Sequence, residues 1–187
     1  MTRTLVLGGA RSGKSAFAER LALDSGKEIV YIATARNAGS DSEMNERISH
    51  HRARRPAHWT TVEQPMALAA ELSRWCAPQR LVLVDCLTLW LSNLMFEDGT
   101  LYPDVGTIAL PQRFHDERAD LLHALGQAGC DIVLVSNEVG MGIVPFGAIS
   151  RCFADEAGRL NQAAAAICDR AVLLVAGLPL TLKGAPC

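Results

Sequence analysis

The chain has 187 residues, of which 49% are hydrophobic and 20% charged, and its formal net charge is −2. This composition is typical of a soluble globular protein, and a chain of this length is expected to form one domain over residues 1–187. The slightly negative charge excludes capture of nucleic acid or of an anionic membrane by bulk attraction. Any positive charge that serves function must therefore be local.

The apolar runs and the cysteines indicate the cellular compartment of the protein. The opening run "MTRTLVLGG" is too short for a signal peptide, and no stretch approaches the roughly 18 apolar residues of a membrane span. We therefore expect a cytoplasmic protein without stable membrane insertion. The six cysteines are scattered and form no C-x-x-C pair, which favours reduced core thiols over a zinc site or disulfide framework. They are Cys76, Cys86, Cys130, Cys152, Cys168 and Cys187.

The first quarter of the chain alternates strand and helix signals. Residues 4–9 form a short apolar run that ends in glycine, which predicts a buried strand. Residues 14–26 mix apolar and charged positions and predict a helix that a glycine stops. Residues 28–34 predict a second buried strand. Residues 41–55 begin with polar capping candidates and predict a helix that a proline ends.

The middle of the chain continues the alternation. Residues 59–64 are β-branched and alternating, which predicts a strand, and 65–77 predict a helix with proline at its first position. Residues 80–86 read as a fully buried strand. Residues 87–96 predict an apolar helix, and the Gly/Pro/Asp-containing stretch 97–107 is expected to be a long loop.

The last part completes an α/β pattern. Helices are predicted over 110–128 and 147–169, and strands over 130–138 and 170–177, with 178–183 as one added edge strand. Strands that alternate with helices indicate a mostly parallel sheet with helices on both faces. We predict the RecA-like P-loop NTPase version of this α/β class.

The sequence "GGARSGKS" satisfies the G-x-x-x-x-G-K-[ST] pattern of a phosphate-binding loop. The pattern follows a predicted strand and opens a predicted helix, so backbone N–H groups and the helix N-terminus can face phosphate oxygens. Lys14 is expected to bridge the β- and γ-phosphates as a catalytic cation, and Ser15 to ligate Mg²⁺. The nucleotide-binding residues of this loop are Gly8, Gly9, Ala10, Arg11, Ser12, Gly13, Lys14 and Ser15.

Asp85 closes the apolar run "RLVLVD" at the expected carboxyl edge of the sheet. There it can hold Mg²⁺ directly or through water. A phosphate loop requires such an acidic partner for the metal ion. The alternative is an aspartate that caps the following helix. Ligands bind at the carboxyl ends of parallel strands, which also selects "ATAR" over 33–36 and "SNEVGMGIVP" over 136–145.

The segment "HHRARRPAHW", residues 50–59, holds three of the five histidines and three arginines. A histidine beside a nucleotide can act as a base, as an electrophile or as a nucleophile that accepts the nucleotidyl group. Nearby arginines could neutralise charge in the transition state. Composition alone equally describes a solvated basic helix end, in which arginines stabilise the helix dipole.

Six segments occur in an order that resembles one enzyme family. The segments are "GGARSGKS", "YIAT", "RI-HH…RPAHW", "SNEVGMGIVP", "AGRLNQ" and "AGLPLTLK". The chain resembles the bifunctional adenosylcobinamide kinase / adenosylcobinamide-phosphate guanylyltransferase family of cobalamin biosynthesis over nearly its whole length. The histidine and "NEVGMGIVP" segments are far more specific than the phosphate loop.

The resemblance implies two reactions. ATP or GTP first phosphorylates the aminopropanol hydroxyl of adenosylcobinamide. GTP then donates GMP to an enzyme histidine, which passes it to adenosylcobinamide-phosphate and so produces adenosylcobinamide-GDP. The family's guanylylated histidine falls on His50 of this chain, and the family is homotrimeric. The apolar segment 87–96 could serve such an interface, although core burial is equally compatible.

The resemblance also implies nucleotide-binding residues outside the phosphate loop. Glu63 makes chemical sense there, because a carboxylate can accept from N1–H and the 2-amino group of guanine, which adenine does not offer; the alternative is a solvated strand end. Some relatives carry Glu at the position of Asp85, which favours water-mediated metal contact here. The implied residues are Thr34, Ala35, Arg36, His51, Arg52, Ala53, Arg54, Glu63 and Asp85.

Three alternatives remain open at this level. Asn137 and Glu138 either line the corrinoid or phosphate side or belong to a structural glycine loop. A plain small-molecule kinase would use His50 only as a base. A GTP switch that docks a partner protein would need a docking segment, which nothing in the sequence resembles.

Overall fold

The computed structural model of the protein describes residues 1–36, 45, 46, 49 and 55–187. Seven strands in this part form a sheet in the order β3-β2-β4-β5-β1-β6-β7. The strand β7 runs antiparallel to β6, and the other neighbours are parallel. The strands are β1 (Arg3–Gly8), β2 (Glu28–Ala33), β3 (Thr60–Glu63), β4 (Arg80–Asp85), β5 (Asp131–Asn137), β6 (Arg170–Val175) and β7 (Leu178–Lys183).

Helices cover both faces of this sheet. Phe17 and Ala22 of the first helix pack against one face, and the buried side chains of four other helices in the described ranges pack against the opposite face. The helices are α1 (Lys14–Asp24), α2 (Leu68–Trp75), α3 (Leu87–Met95), α4 (Gln112–Gln127) and α5 (Ala148–Ile167). A central strand such as β4, with Leu81 to Val84 buried, consequently lacks the polar alternation of a half-exposed strand. The predicted α/β class is confirmed.

The apolar helix α3 belongs to the core. Leu87, Trp90, Leu91 and Leu94 are at most 1% exposed, and the indole of Trp90 donates to the carbonyl of Met66. Core burial, one of the two interpretations of segment 87–96, therefore accounts for its composition. Among the described helices, none is both long and apolar enough to cross a bilayer.

One predicted helix begins later than expected, and another lies mostly outside the described residues. The helix predicted over 65–77 begins only at Leu68, because Oε1 of Gln64 accepts from the backbone N–H groups of Met66 and Ala67 and holds them in a turn. The predicted helix 41–55 lies mostly outside the described residues. Residues 45, 46 and 49 within it are helical.

The expectation of reduced thiols is wrong for one pair of cysteines. Cys76 and Cys130 form a disulfide across a sequence separation of 54 residues, with 5.2 Å between their Cα atoms. Cys76 directly follows α2 and Cys130 directly precedes β5, so the fold joins two positions whose spacing in sequence carries no signal. Cys86 and Cys168 are buried thiols, as expected.

Candidate nucleotide-binding site

The carboxyl ends of the parallel strands bring the sequence-predicted acids together. Ala33 of β2 is in register with Glu63 of β3 on one side and with Asp85 of β4 on the other. On the other half of the sheet, Gly8 of β1 is in register with Asn137 of β5. The phosphate loop, both acids and the loop after β5 therefore leave from one edge of the sheet, which is where α/β proteins bind ligands.

Two glycines of the phosphate loop are required by close contacts. A Cβ on Gly8 would lie 2.8 Å from the carbonyl oxygen of Leu174, closer than real Cβ atoms approach. Gly13 has φ of 94°, and a Cβ there would lie 3.3 Å from Cα of Gly177. Gly13 is also the N-cap of α1, so the left-handed turn directs the first helical N–H groups toward the loop.

The hairpin between β6 and β7 supports the phosphate loop from behind. Its turn consists of Ala176 and Gly177, with φ of 52° and 79°, and the N–H of Gly177 donates to the carbonyl of Ser12 at 2.9 Å. Sequence reasoning missed this support. Its only signal was the glycine in the "AGLPLTLK" segment.

Lys14 is half-buried at the start of α1, and its Nζ donates to the carbonyl of Gly9 at 3.0 Å. Burial lowers the pKa of Lys14, and the nearby charges of Cys86 and Asp85 oppose that shift. The carbonyl oxygen of Gly9 compensates the positive charge of Lys14 only in part, because a carbonyl carries no full negative charge. A phosphate oxygen in the loop would supply the missing anion.

Asp85 is oriented by a tyrosine that sequence reasoning did not select. The hydroxyl of Tyr31 donates to Oδ2 of Asp85 at 2.8 Å, and Tyr31 is only 1% exposed. Burial raises the pKa of Tyr31 well above its ordinary value, and the charge of Asp85 raises it further. Tyr31 therefore remains a protonated donor at physiological pH. Its signal in the sequence is one hydroxyl-bearing aromatic within an aliphatic strand.

The donors at this edge fit a magnesium ion. Ser15 offers a hydroxyl at the end of the phosphate loop and Asp85 a carboxylate, and both are hard oxygen donors of the kind that Mg²⁺ prefers. Within the described ranges, no group of three or more His, Cys, Asp or Glu side chains could hold a metal by itself.

The segment 34–36 lies beside Asp85, but its side chains differ in what they can offer. Oγ1 of Thr34 accepts from the N–H of Cys86 at 2.9 Å and donates to the carbonyl of Cys86 at 2.8 Å. This buried hydroxyl is thus engaged in holding the turn after β4. Ala35 is half-buried, whereas Arg36 is exposed and lies 2.8 Å from Sδ of Met66.

The candidate residues His50, His51, Arg52, Ala53 and Arg54 lie outside the described residues. The next residue, Arg55, is described, and its guanidinium lies 3.8 Å above the ring of Tyr31. Tyr31 in turn stacks on Trp59, with ring centroids 6.2 Å apart. Arg55 therefore packs beside the Tyr31–Asp85 pair.

Asn137 and Glu138 stand where β5 meets the phosphate loop. The backbone N–H of Glu138 donates to the carbonyl of Gly8 at 3.1 Å, and Oε1 of Glu138 accepts from the N–H of Gly140 at 2.8 Å. The side chain of Asn161 on α5 donates to the carbonyl of Asn137. The loop after β5 is thus bonded both to the phosphate loop and to α5.

Comparison with known proteins agrees with this architecture. The model of the cobinamide kinase / cobinamide phosphate guanyltransferase family matches residues 4–182. The chain belongs to this family.

Two relatives within the family are similar over nearly their full lengths. The chain is 54% identical to the bifunctional adenosylcobalamin biosynthesis protein CobP of Pseudomonas aeruginosa, over 98% of the chain and 99% of the relative. It is 42% identical to the protein CobU of the same description from Escherichia coli, over 96% of the chain and 98% of the relative.

Solved structures support the fold alone. A prototypical ATPase from the type III secretion system of pathogenic bacteria matches with a TM-score of 0.53 at 15% identity. The match covers 96% of this chain and 56% of that ATPase. The chain therefore shares the fold of that ATPase, in agreement with the mostly parallel α/β sheet predicted from its sequence.

Proposed function

We propose that this chain carries out both activities named by its family. It phosphorylates the aminopropanol hydroxyl of adenosylcobinamide with ATP or GTP, and it then transfers GMP from GTP to the new phosphate through His50. The observation that carries the proposal is the common edge at which the phosphate loop, Asp85 and Glu63 meet.

For the kinase step, the N–H groups at the start of α1 and Lys14 would hold the β- and γ-phosphates. Ser15 and Asp85 would hold Mg²⁺, which supplies neutralisation of phosphate charge when it is bound. The substrate hydroxyl oxygen attacks the γ-phosphorus, the bond to the β,γ-bridging oxygen breaks, and the hydroxyl proton is released. Lys14 would stabilise the charge that moves onto the leaving diphosphate.

For the transferase step, a neutral ring nitrogen of His50 attacks the α-phosphorus of GTP and pyrophosphate leaves. A phosphate oxygen of adenosylcobinamide-phosphate then attacks the same phosphorus and the P–N bond breaks, so histidine is regenerated. The arginines Arg52 and Arg54 would neutralise the pyrophosphate, with His51 and Ala53 completing the segment. Glu63 would select guanine through its N1–H and 2-amino donors.

Labelling with GTP that carries ³²P at the α-phosphate separates this proposal from a kinase that uses His50 only as a base. We expect label on the denatured protein that is acid-labile and base-stable, absent in His50→Ala and retained in His58→Ala. His58 is a suitable matched control because it is exposed and outside the implied nucleotide segment. An unlabelled native protein that still phosphorylates adenosylcobinamide would favour the kinase alternative.

We further propose the homotrimer and the cytoplasmic location that the family resemblance and the composition suggest. The edge strand β7 supports association, because Leu178, Leu180 and Leu182 occupy alternate positions and are each more than half exposed. Sedimentation equilibrium of the purified chain tests the trimer, and a monomeric mass at assay concentration would contradict it.

A further inference from the structure

An apolar groove lies beside the loop that follows β5. The groove has a volume of about 340 Å³ and is lined by eight residues of α3, of this loop and of α5. Phe96, Val139 and Phe153 contribute apolar side chains to it, and Ser92 and Ser150 contribute hydroxyls. None of the eight lining residues is charged.

The loop beside the groove also exposes large apolar side chains. Met141, Ile143 and Phe146 are 78%, 98% and 94% exposed, and they lie between or next to the lining residues Val139 and Pro145. Contiguous exposed apolar surface of this kind marks a place where a ligand or partner binds.

Hydrogen bonds fix this loop at both ends, so its exposed apolar side chains stand on a defined backbone. At the start, the carboxylate of Glu138 accepts from the N–H of Gly140. At the end, the guanidinium of Arg151 donates to the carbonyls of Pro145 and Phe146. The N–H of Ala148 donates to the carbonyl of Asp104, which ties the start of α5 to the preceding long loop.

The loop after β5 connects the groove to the phosphate loop. Glu138 directly precedes the lining residue Val139, and its backbone N–H donates to the carbonyl of Gly8 in the phosphate loop. A molecule in the groove would therefore lie beside a loop that is bonded to the phosphate loop, which suits a substrate that carries its reacting group on a side arm. A nucleotide is a poor occupant, because a triphosphate would be desolvated against a lining that offers no cation.

We propose that this groove and the loop residues 139–146 bind the corrin ring of the kinase substrate. The inference rests on the proposed function and names the second substrate's site. A corrinoid is a largely apolar macrocycle bordered by amides, and its reacting hydroxyl stands at the end of a side arm. Pockets for small ligands run from about 300 to 1,000 Å³, so this groove takes one edge of the ring. The hydroxyls of Ser92 and Ser150 bond its amides, and the exposed loop side chains cover its face.

The substitution Val139→Asp tests this assignment, with Val139→Thr as its matched control. Val139 is 38% exposed, so a carboxylate there remains hydrated in the free protein but must lose water against a bound corrinoid. We expect the Kd for adenosylcobinamide to rise about tenfold or more in Val139→Asp and less than about threefold in Val139→Thr. The affinity for a fluorescent N-methylanthraniloyl GTP should stay at the native value in both variants, which also reports correct folding.

Leu23→Asp controls for general loss of apolar surface, because Leu23 is 52% exposed on α1, across the sheet from the groove. It should leave the corrinoid Kd unchanged. Native-like corrinoid affinity in Val139→Asp, or an equal loss in Leu23→Asp, would overturn the assignment. So would a change in oligomeric mass caused by Val139→Asp, because the loop would then be a contact between copies of this chain.

Hydrogen exchange on the native protein gives a measurement that needs no variant. Addition of adenosylcobinamide should protect backbone amides within 139–154, and protection confined to other segments would sink the proposal. Different results would contradict the proposed function and the assignment of the groove. A native protein that neither binds nor phosphorylates adenosylcobinamide contradicts the proposed function, whereas native turnover with unaffected Val139→Asp binding contradicts only the groove.

Discussion

The hydroxyl of Tyr31 donates a 2.8 Å hydrogen bond to Oδ2 of Asp85, although the two residues lie 54 positions apart in the chain. Tyr31 also carries the guanidinium of Arg55 on its ring face. One buried tyrosine thus orients the proposed magnesium ligand and contacts Arg55 of the histidine-containing segment 50–59. Such a partner fixes the direction of a ligating carboxylate.

Replacement of Tyr31 by Phe removes this hydrogen bond and keeps the ring. We expect the Mg²⁺ concentration for half-maximal kinase rate to rise about tenfold, because the carboxylate loses the donor that orients it. Tyr102→Phe is the matched control, because the hydroxyl of Tyr102 also donates one hydrogen bond, to the carbonyl of Met95. A magnesium titration of both variants decides the point, and equal magnesium dependence in the two would contradict the role of Tyr31.

Thr34 should prove essential to the backbone of the site. Its buried hydroxyl exchanges two hydrogen bonds with the backbone of Cys86, so Thr34→Val leaves the buried N–H of Cys86 unpaired, whereas the carbonyl of Cys86 keeps the bond from the N–H of Trp90. We expect the free energy of unfolding to fall by about 2 kcal/mol or more, and by less than about 1 kcal/mol in Thr34→Ser. Urea denaturation measures both. A Val variant as stable as the Ser variant would show that water replaces the hydroxyl.

The sequence predicted the sheet because its signals are local. Apolar runs such as 80–86 are typical of central parallel strands, and the glycine pattern at 8–15 is typical of a loop with a strand before it and a helix after it. Asp85 and Glu63 could be placed at one edge for the same reason, since each ends a strand.

The features that escaped prediction depend on the fold. Tyr31 reads as an ordinary strand residue until β2 and β4 pair, and Gly177 reads as a hairpin glycine until it contacts Ser12. The bond between Cys76 and Cys130 likewise appears only when α2 and β5 are assembled. The sequence marks the segment 136–145 as a motif, but the groove beside it is formed only together with α3 and α5.

We expect Lys14 to lower the free energy of unfolding of the nucleotide-free protein at neutral pH. Burial holds its pKa below the ordinary value of 10.5, and the nearby Asp85 charge offsets this only in part. Below the folded pKa both states bind the proton and the penalty is constant. Between the folded pKa and 10.5 the unfolded state binds more protons, so stability rises with pH.

We therefore expect Lys14→Met to be more stable than the native protein at pH 7, with the difference shrinking as pH approaches 10.5. Kinase activity should be lost in the same variant. Lys27→Met is the control and should be destabilised, because Lys27 pairs with Asp131 at 2.8 Å. Urea denaturation between neutral and alkaline pH measures these differences. A Lys14→Met variant that is less stable at pH 7 would contradict the prediction.

The Cys76–Cys130 disulfide should be measurable chemically and thermodynamically. Alkylation of the denatured, unreduced protein should modify the four other cysteines, and reduction should make all six reactive. A cross-link over 54 residues restricts the unfolded chain and is expected to contribute up to about 4 kcal/mol. Reduction should lower the free energy of unfolding accordingly, in the native protein and in Cys152→Ser alike. Six alkylated cysteines without reductant would refute the bond.

Glu63 should control the choice of base in the proposed second reaction without affecting the first. Glu63 is in register with Ala33 of β2, and Ala33 is in register with Asp85 on its other side. All three residues lie at the sheet edge from which the phosphate loop leaves. A carboxylate there accepts from two guanine donors, whereas Gln can accept from only one and presents its amide to the other. We expect Glu63→Gln to lower kcat/KM for GTP in guanylyl transfer about tenfold or more, while the kinase reaction with ATP changes less than about twofold.

The matched control for Glu63 is Glu28→Gln. Glu28 begins β2 at the opposite end of that strand, and its carboxylate pairs with Arg80 at 3.2 Å. It should leave both reactions at the native rate. Equal losses with ATP and GTP in Glu63→Gln would assign the carboxylate to phosphate or metal geometry. With ATP and GTP compared as donors in the same kinase reaction, a loss confined to GTP would assign it to the guanine edge, because only the base then distinguishes the two nucleotides.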